Sequence, residues 1–212
     1  MVGSPVGDFD YDRHGHGYAG HRRADPRIAT YVHRALGDPR TVLNVGAGAG
    51  SYEPADRRVL AVEPSPVMRA QRPPHLLPAV DATAERLPFD NQAFDAAMAM
   101  VTVHQWPDPA AGLAELRRVA SGPVVVLTFD PDALSRLWLA EYAAARPEQF
   151  LDPAVRRAQS AWGFVSPAAQ ERAVTTLRAD PDCGKWDEMY HDLRTQPQFD
   201  GALRMVVGQP VA

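Results

Sequence analysis

Thiol and ammonium side chains are almost absent from this chain: Cys183 is its only cysteine and Lys185 its only lysine among 212 residues. A lone cysteine excludes an internal disulfide and any cysteine-cluster zinc site. There is no apolar run of about 18 residues, the length a membrane-crossing helix needs. The N-terminus lacks the charged-then-apolar pattern of a secretory signal, so a cytoplasmic protein is expected. Neither sign of charge dominates, since 22 basic and 26 acidic side chains leave a net −4. That balance gives no electrostatic reason to expect a nucleic-acid partner. What is present is globular in character, with 45% hydrophobic and 23% charged residues, a composition that builds a packed core. At roughly 150 residues per domain the length reads as one domain over 1–212, large enough to need no covalent staples.

Proline is frequent, with 20 residues, but it is placed rather than scattered. Asp25-Pro26, Asp108-Pro109, Asp130-Pro131, Asp152-Pro153 and Ser166-Pro167 each set a capping oxygen directly before a proline. The oxygen accepts from free N–H groups of a first helical turn, and proline's fixed φ suits the first helical position. After Pro26, the residues Ile28, Tyr31, Val32, Ala35 and Leu36 keep helical spacing, and Gly37 stops the helix. Leu113, Leu116 and Val119 follow Pro109 in the same way, as do Leu134, Leu137, Trp138 and Tyr142 after Pro131.

Between these helices lie apolar runs of strand length at 41–45, 59–62, 76–80, 95–101 and 124–129. Continuous runs such as Val124-Val125-Val126-Leu127 predict strands buried on both faces, as in a parallel sheet covered by helices. Alternating strands and helices predict a doubly wound α/β domain of three layers, helix–sheet–helix. A helix-rich stretch over 153–193 precedes a last strand at 199–207.

The most informative stretch runs from Val42 to Ser51 (V-L-N-V-G-A-G-A-G-S). Glycines at 46, 48 and 50 follow a buried strand, where backbone N–H groups can approach a ligand closely. Glu63 ends the second strand seventeen residues after Gly46, and a carboxylate there can accept both hydroxyls of an adenosine ribose. Ser51 stands where a dinucleotide fingerprint wants its third glycine, and only thirteen residues separate Gly46 from Arg58 inclusively. Pro54 shortens any helix there, leaving little to aim at a pyrophosphate. A ligand with a ribose but no phosphate fits better.

With its downstream blocks, the sequence resembles the class I S-adenosyl-L-methionine (SAM)-dependent methyltransferases, especially the small bacterial type acting on small molecules. The resemblance runs from about Tyr11 to Phe129, with a weaker match from Pro147 to the end. Asn44-Val45-Gly46-Ala47-Gly48-Ala49-Gly50 resembles the SAM loop, implying cofactor contacts from Asn44, Gly46, Ala47 and Gly48. Glu63-Pro64-Ser65 resembles the ribose-binding strand end, and Met68 stands where the family often packs an apolar side chain on adenine. Asp81-Ala82, followed by Leu87-Pro88-Phe89, resembles the adenine-edge motif, whose carboxylate accepts from the exocyclic amine. The run from Phe94-Asp95 to Val101 resembles the fourth strand, with Val101 at the cofactor. Val103-His104-Gln105-Trp106 resembles the loop facing the methyl group. Tyr18 and Arg22 lie where such enzymes fold a lid over the cofactor, and a solvated N-terminus is the competing reading.

The resemblance implies a Rossmann-like methyltransferase fold: a mostly parallel sheet with an antiparallel last strand, here one strand fewer because the chain is short after Leu139. Its parts would be an N-terminal lid and helix (1–37), a cofactor-binding half (38–130) and a helical segment with the last strand (131–212). Asn44 departs from an acidic residue common at its place, and Gln105 from a histidine. The implied cofactor is SAM, with S-adenosylhomocysteine as product and a small organic, secondary-metabolite type of substrate. His104 is the candidate catalytic base, because an imidazole near its ordinary pKa can take a proton as the methyl group arrives. A packed histidine beside Trp106 is the competing reading; Trp106, Trp138 and Trp162 read as core or pocket walls. His14 and His16, with Asp10, Asp12 and His21 nearby, lack the fixed spacing of a metal site, so none is expected. The bare last strand offers a homodimer contact. Two other functions stay open: a SAM-binding protein of this fold that no longer methylates, and a nicotinamide-dependent oxidoreductase.

Overall fold

The computed structural model describes residues 24–130, 147–157, 166–195 and 202–210. They fall into two compact units, Met1–Phe129 with Leu203–Ala212, and Asp130–Ala202. In the first unit, α1 (Pro26–Leu36) leads to β1 (Thr41–Val45), β2 (Arg58–Val62), the single-turn α2 (Pro66–Arg69) and β3 (Ala96–Met100). A 3-10 turn (Val103–Gln105), α3 (Pro109–Val119) and β4 (Val124–Phe129) follow, and β5 (Leu203–Gly208) closes the unit. The sheet order is β2-β1-β3-β4-β5. The first four strands are parallel, and β5 runs antiparallel along β4 from Val124↔Gly208 to Phe129↔Leu203. The expected doubly wound, mostly parallel sheet with an antiparallel last strand is therefore present.

Strand alternation explains why the apolar runs are continuous. Leu43, Val45, Ala97, Ala99, Val124 and Val126 face one core, which also takes Leu116 and Val119 from α3. Val42, Ala96, Met98, Met100, Val125 and Leu127 face the opposite core, with Val32 and Leu36 of α1. Neither face meets water, so neither needs polar residues. The caps form as the proline pairs predict: Asp25 accepts from Arg27 N–H (2.8 Å), Asp108 from Ala111 N–H (3.0 Å) and Asp152 from Ala154 N–H (2.7 Å). Asp130-Pro131 and the stripe after it lie outside the described residues, as do Trp138 and Trp162.

The run at 76–80 does not form the expected strand. Only Val80 pairs, as a single parallel bridge to Val62, donating to Ala61 O (2.8 Å) and accepting from Glu63 N–H (3.0 Å). Pro73, Pro74 and Pro78 contribute no N–H to a ladder, and the Leu77 carbonyl is taken by Arg72 at 3.0–3.1 Å. Between β1 and β2 there are turns and no helix, in keeping with the short crossover.

In the second unit a 3-10 turn (Pro147–Leu151), α4 (Pro153–Arg157), α5 (Pro167–Asp182) and α6 (Lys185–Thr195) are described. Ser166 caps α5 through Ala169 N–H. Trp186 of α6 is buried, with the Arg194 guanidinium 4.6 Å from its ring centroid and Arg194 in turn paired with Asp187 at 2.5 Å. Cys183 is exposed at the end of α5. Among the described residues no helix is long and apolar enough to cross a membrane.

Candidate functional site

Parallel strands point their carboxyl ends the same way, so the loops after β1, β2, Val80 and β3 gather at one edge of the sheet, where α/β sheets bind ligands. At Gly46 the chain turns with φ +66°, and a Cβ there would lie 2.2 Å from Thr102 Oγ1. No other residue fits, because both the backbone angle and the space are denied to a side chain. The turn is tied to its neighbour strand by Ala47 N–H, which donates to Val62 O (2.9 Å). Gly48, also at positive φ, leaves 3.3 Å between a would-be Cβ and the Met68 Cε, so loop and methionine are in contact range.

Glu63 stands at the tip of β2 and is buried. Its Oε2 accepts from Gly48 N–H (2.8 Å) and its Oε1 from Ser65 N–H (2.9 Å). Burial pushes its carboxyl above the ordinary 4.5, against the pull of those two N–H groups and of Arg69 and Arg72. A carboxylate offers about four acceptor sites, so two bonds leave acceptor capacity for hydroxyl donors. Met68 is buried on α2, whose first turn Ser65 caps through Met68 N–H. Pro64 and Asp81 are joined by one side chain: the Arg69 guanidinium donates to Glu63 O (2.7 Å), Pro64 O (2.8 Å) and Asp81 Oδ2 (3.0 Å). Ala82 follows Asp81 and packs against the core beneath the edge.

Asn44, wholly buried at the end of β1, donates through Nδ2 to Glu53 Oε1 (2.9 Å). Glu53 is buried in turn and takes both Arg72 amino groups at 3.0 Å. The acid that the glycine-loop motif lacks at position 44 is thus supplied nine residues on, and it is already neutralised. Asn44 Oδ1 has no hydrogen-bond partner among the described residues. A bare buried acceptor costs about 1–3 kcal/mol, which a donor brought to this edge relieves.

On the other side of Gly46, Val101 takes φ +56° at the end of β3. A β-branched residue held there stores roughly 1–3 kcal/mol, and Val101 N–H donates to Leu127 O (2.6 Å) to hold it. The 3-10 turn then presents His104, half-buried, with its ring 5.8 Å from the Phe129 ring and its Nε2 3.3 Å from Gln105 Nε2. Trp106 is core: it is buried against Gly112, where a Cβ would lie 2.4 Å from its ring.

Asn44, Gly46, Ala47, Gly48, Glu63, Pro64, Met68, Asp81, Ala82 and Val101 therefore lie along one edge, with His104 beside them. Tyr18 and Arg22 lie outside the described residues, as does the His14–His16 stretch. Among the described residues no cluster of three or more His, Cys, Asp or Glu could hold a metal ion. Sequence reasoning missed Arg69, Glu53 and Arg72. The one available signal was Arg69's place four residues after the capping Ser65, where a helical side chain returns over its own first turn.

The edge presents hydrogen-bond acceptors, the carboxylates of Glu63 and Asp81. They stand at the tip of β2 (Glu63) and just past the Val80 bridge (Asp81), and a glycine turn without a phosphate-aimed helix lies between β1 and β2. Residues 43–125 match the family model described as a methyltransferase domain. No curated protein matches the chain. Among solved structures, a methyltransferase from an antibiotic biosynthesis pathway of Anabaena variabilis superposes with TM-score 0.78 at 22% identity, over 90% of this chain and 99% of that one. A SAM-dependent methyltransferase of Thermotoga maritima gives 0.52 at 21%, over 79% and 78%. The [4+2]-cyclase SpnF gives 0.54 at 17%, over 98% and 96%. The class I methyltransferase resemblance read from the motifs is borne out by the family match and by this fold.

Proposed function

We propose that this chain, whose residues 43–125 match a methyltransferase domain, binds SAM and transfers its methyl group to a small organic molecule. The observation that carries this reading is the paired holding of Glu63 by Gly48 N–H and Ser65 N–H. That pairing aims a buried carboxylate from the tip of β2 along the glycine turn. In this reading Glu63 accepts the ribose hydroxyls, Asp81 the adenine amine, and Met68 packs on the base. The turn from Gly46 to Gly48, with Asn44 beneath it, holds the aminoacyl tail.

When bound, the sulfonium supplies an already activated methyl group. The residues of the chain therefore have a positioning task, holding the acceptor in line at about 3–3.5 Å and excluding water. His104, at the β3 side of the cleft, takes the proton from the acceptor hydroxyl or amine. The neutral, partly apolar surroundings of Val101, Thr102 and Phe129 suit a positive charge that disappears in the transition state. Support for a small substrate comes from the Anabaena neighbour, which belongs to an antibiotic biosynthesis pathway.

A second reading keeps the cofactor site and changes the reaction, since a cyclase shares the fold over almost its whole length and a fold does not set a reaction. Titration calorimetry with S-adenosylhomocysteine tests the site itself, and absence of binding overturns both readings. Incubation with SAM and a panel of small hydroxyl and amine compounds separates them. Accumulation of S-adenosylhomocysteine that depends on the panel compound supports methyl transfer; tight binding with no such product favours the second reading.

A further inference from the structure

We infer that Arg69 is a positioning residue that sets selectivity for the base of the nucleoside by acting through Asp81. The inference rests on the SAM-site reading above and goes beyond it, because no motif of the resemblance contains Arg69. Asp81 has a side chain 71% exposed. A carboxylate so far in water has no burial to fix its plane, and an exposed ion pair by itself adds little stability. Arg69 is different. Its Nη1 donates to two peptide oxygens, Glu63 O at 2.7 Å and Pro64 O at 2.8 Å, and only Nη2 reaches Asp81 Oδ2, at 3.0 Å. Its own backbone N–H is fixed to Ser65 O at 3.0 Å within α2. The guanidinium is planar and rigid. Holding Nη1 on the turn after β2 therefore fixes where Nη2 points, and Nη2 fixes one oxygen of Asp81. The other oxygen is left to face a ligand in a single direction.

A carboxylate oriented in this way favours an exocyclic amine and rejects a carbonyl oxygen at the same place. Arg69 thereby couples the strand tip that carries the ribose acceptor, Glu63, to the loop residue that reads the base edge, Asp81. Without it Glu63 keeps its own two N–H bonds, so ribose binding survives while base reading is lost. Arg69 touches neither base nor reacting atoms in this scheme; its effect on base selectivity passes through Asp81.

The test is calorimetric titration of S-adenosylhomocysteine and of S-inosylhomocysteine, in which a carbonyl oxygen replaces the amine. The wild-type chain, Arg69→Met, Arg69→Lys, Asp81→Asn and the Arg69→Met/Asp81→Asn double variant are compared, with thermal melts as the check on folding. The wild-type chain is expected to prefer the adenosyl ligand by about ten- to a hundredfold, the range for one hydrogen bond to a charged group. In Arg69→Met the preference falls to within about threefold, mainly through weaker adenosyl binding. Lysine retains the charge but cannot span three acceptors, so Arg69→Lys also loses most of the preference; it carries the test if the methionine variant does not fold. Adding Arg69→Met to Asp81→Asn changes the preference no further. Equal weakening of both ligands in the Arg69 variants would mean a merely structural role and overturns the inference. So does a further loss of preference on top of Asp81→Asn. A wild-type chain that binds neither ligand overturns the SAM-site reading instead.

Discussion

The two flanks of the glycine turn are built by different means. On the β2 flank the functional candidates are held by the backbone: Glu63 by two N–H groups, Pro64 and Asp81 by an arginine that is itself anchored on peptide oxygens. On the β3 flank His104 rides on a three-residue 3-10 turn, touching the Phe129 ring and its neighbour Gln105. The first arrangement is preset before any ligand arrives, so it suits binding. The second leaves a titratable ring half-buried at the mouth of a strained strand end, so it suits chemistry. Variants on the two flanks should therefore separate rate from affinity.

The largest expected effect lies on the β3 flank. His104→Ala should slow methyl transfer by roughly 10²–10⁴, the ordinary contribution of a general base, while S-adenosylhomocysteine affinity stays within about twofold. Steady-state turnover beside calorimetry checks both halves. A matching loss of affinity would place His104 in the binding site and blur the contrast; unaltered turnover would leave it a packing residue.

Next in size is a variant beneath the β2 flank. Arg72→Met strips the partner from Glu53, whose side chain is 1% exposed. Breaking a buried pair in this way costs about 3–5 kcal/mol, to be read from the urea midpoint. Adding Glu53→Leu should recover much of that loss, because two apolar groups need no compensation. Affinity for S-adenosylhomocysteine should fall in the double variant, since Glu53→Leu removes the acceptor that orients the Asn44 amide. Recovered stability with unaltered affinity would make the Glu53–Arg72 pair a matter of stability alone.

How legible these flanks were in the sequence follows the same division. The strand tips, the glycine turn and the helix caps are local patterns, set by period and by residues that few others can replace, and they stand where the sequence places them. Arg72 pairs with Glu53 across nineteen residues and Arg69 with Asp81 across twelve. Such partners are chosen by how loops fold back, which hydropathy does not encode. At 76–80 apolar composition outweighed the missing donor of Pro78 and those of Pro73 and Pro74 just before it, and a strand was expected where one bridge forms. The strain at Val101 had no glycine to announce it. The expected lid residues, Tyr18 and Arg22, lie outside the described residues, so that part of the candidate site rests on the resemblance.

Smaller again is the direct loss of the ribose acceptor. Glu63→Ala should weaken S-adenosylhomocysteine binding by about 1–3 kcal/mol, the range for hydrogen bonds to a charged group. Titration at fixed salt checks it, and an unchanged affinity would mean that the ribose is held elsewhere. Thr102→Ser is a useful companion, because Gly46 packs on that side chain. It removes one methyl group from the β3 flank and should leave ligand affinity unaltered.

The smallest effect is also the most diagnostic, because binding and stability should move in opposite directions with pH. Burial raises the Glu63 carboxyl above its ordinary 4.5 in the folded chain. A folded state that holds the proton more tightly than the unfolded one is favoured where the group is protonated. The contribution is therefore fully present below 4.5 and is lost as pH rises through the raised folded value. Other carboxylates titrate nearby, so the quantity to measure is the difference in urea midpoint between the wild-type chain and Glu63→Gln. On acidification through that window the ligand-free wild type should gain stability relative to the glutamine variant. Over the same window its affinity for S-adenosylhomocysteine should fall, since the ribose hydroxyls need the charged acceptor, while the affinity of Glu63→Gln stays flat. Parallel trends would show that the charge on Glu63 serves the loop rather than the ligand, and the β2 flank would then be preset for something other than a ribose.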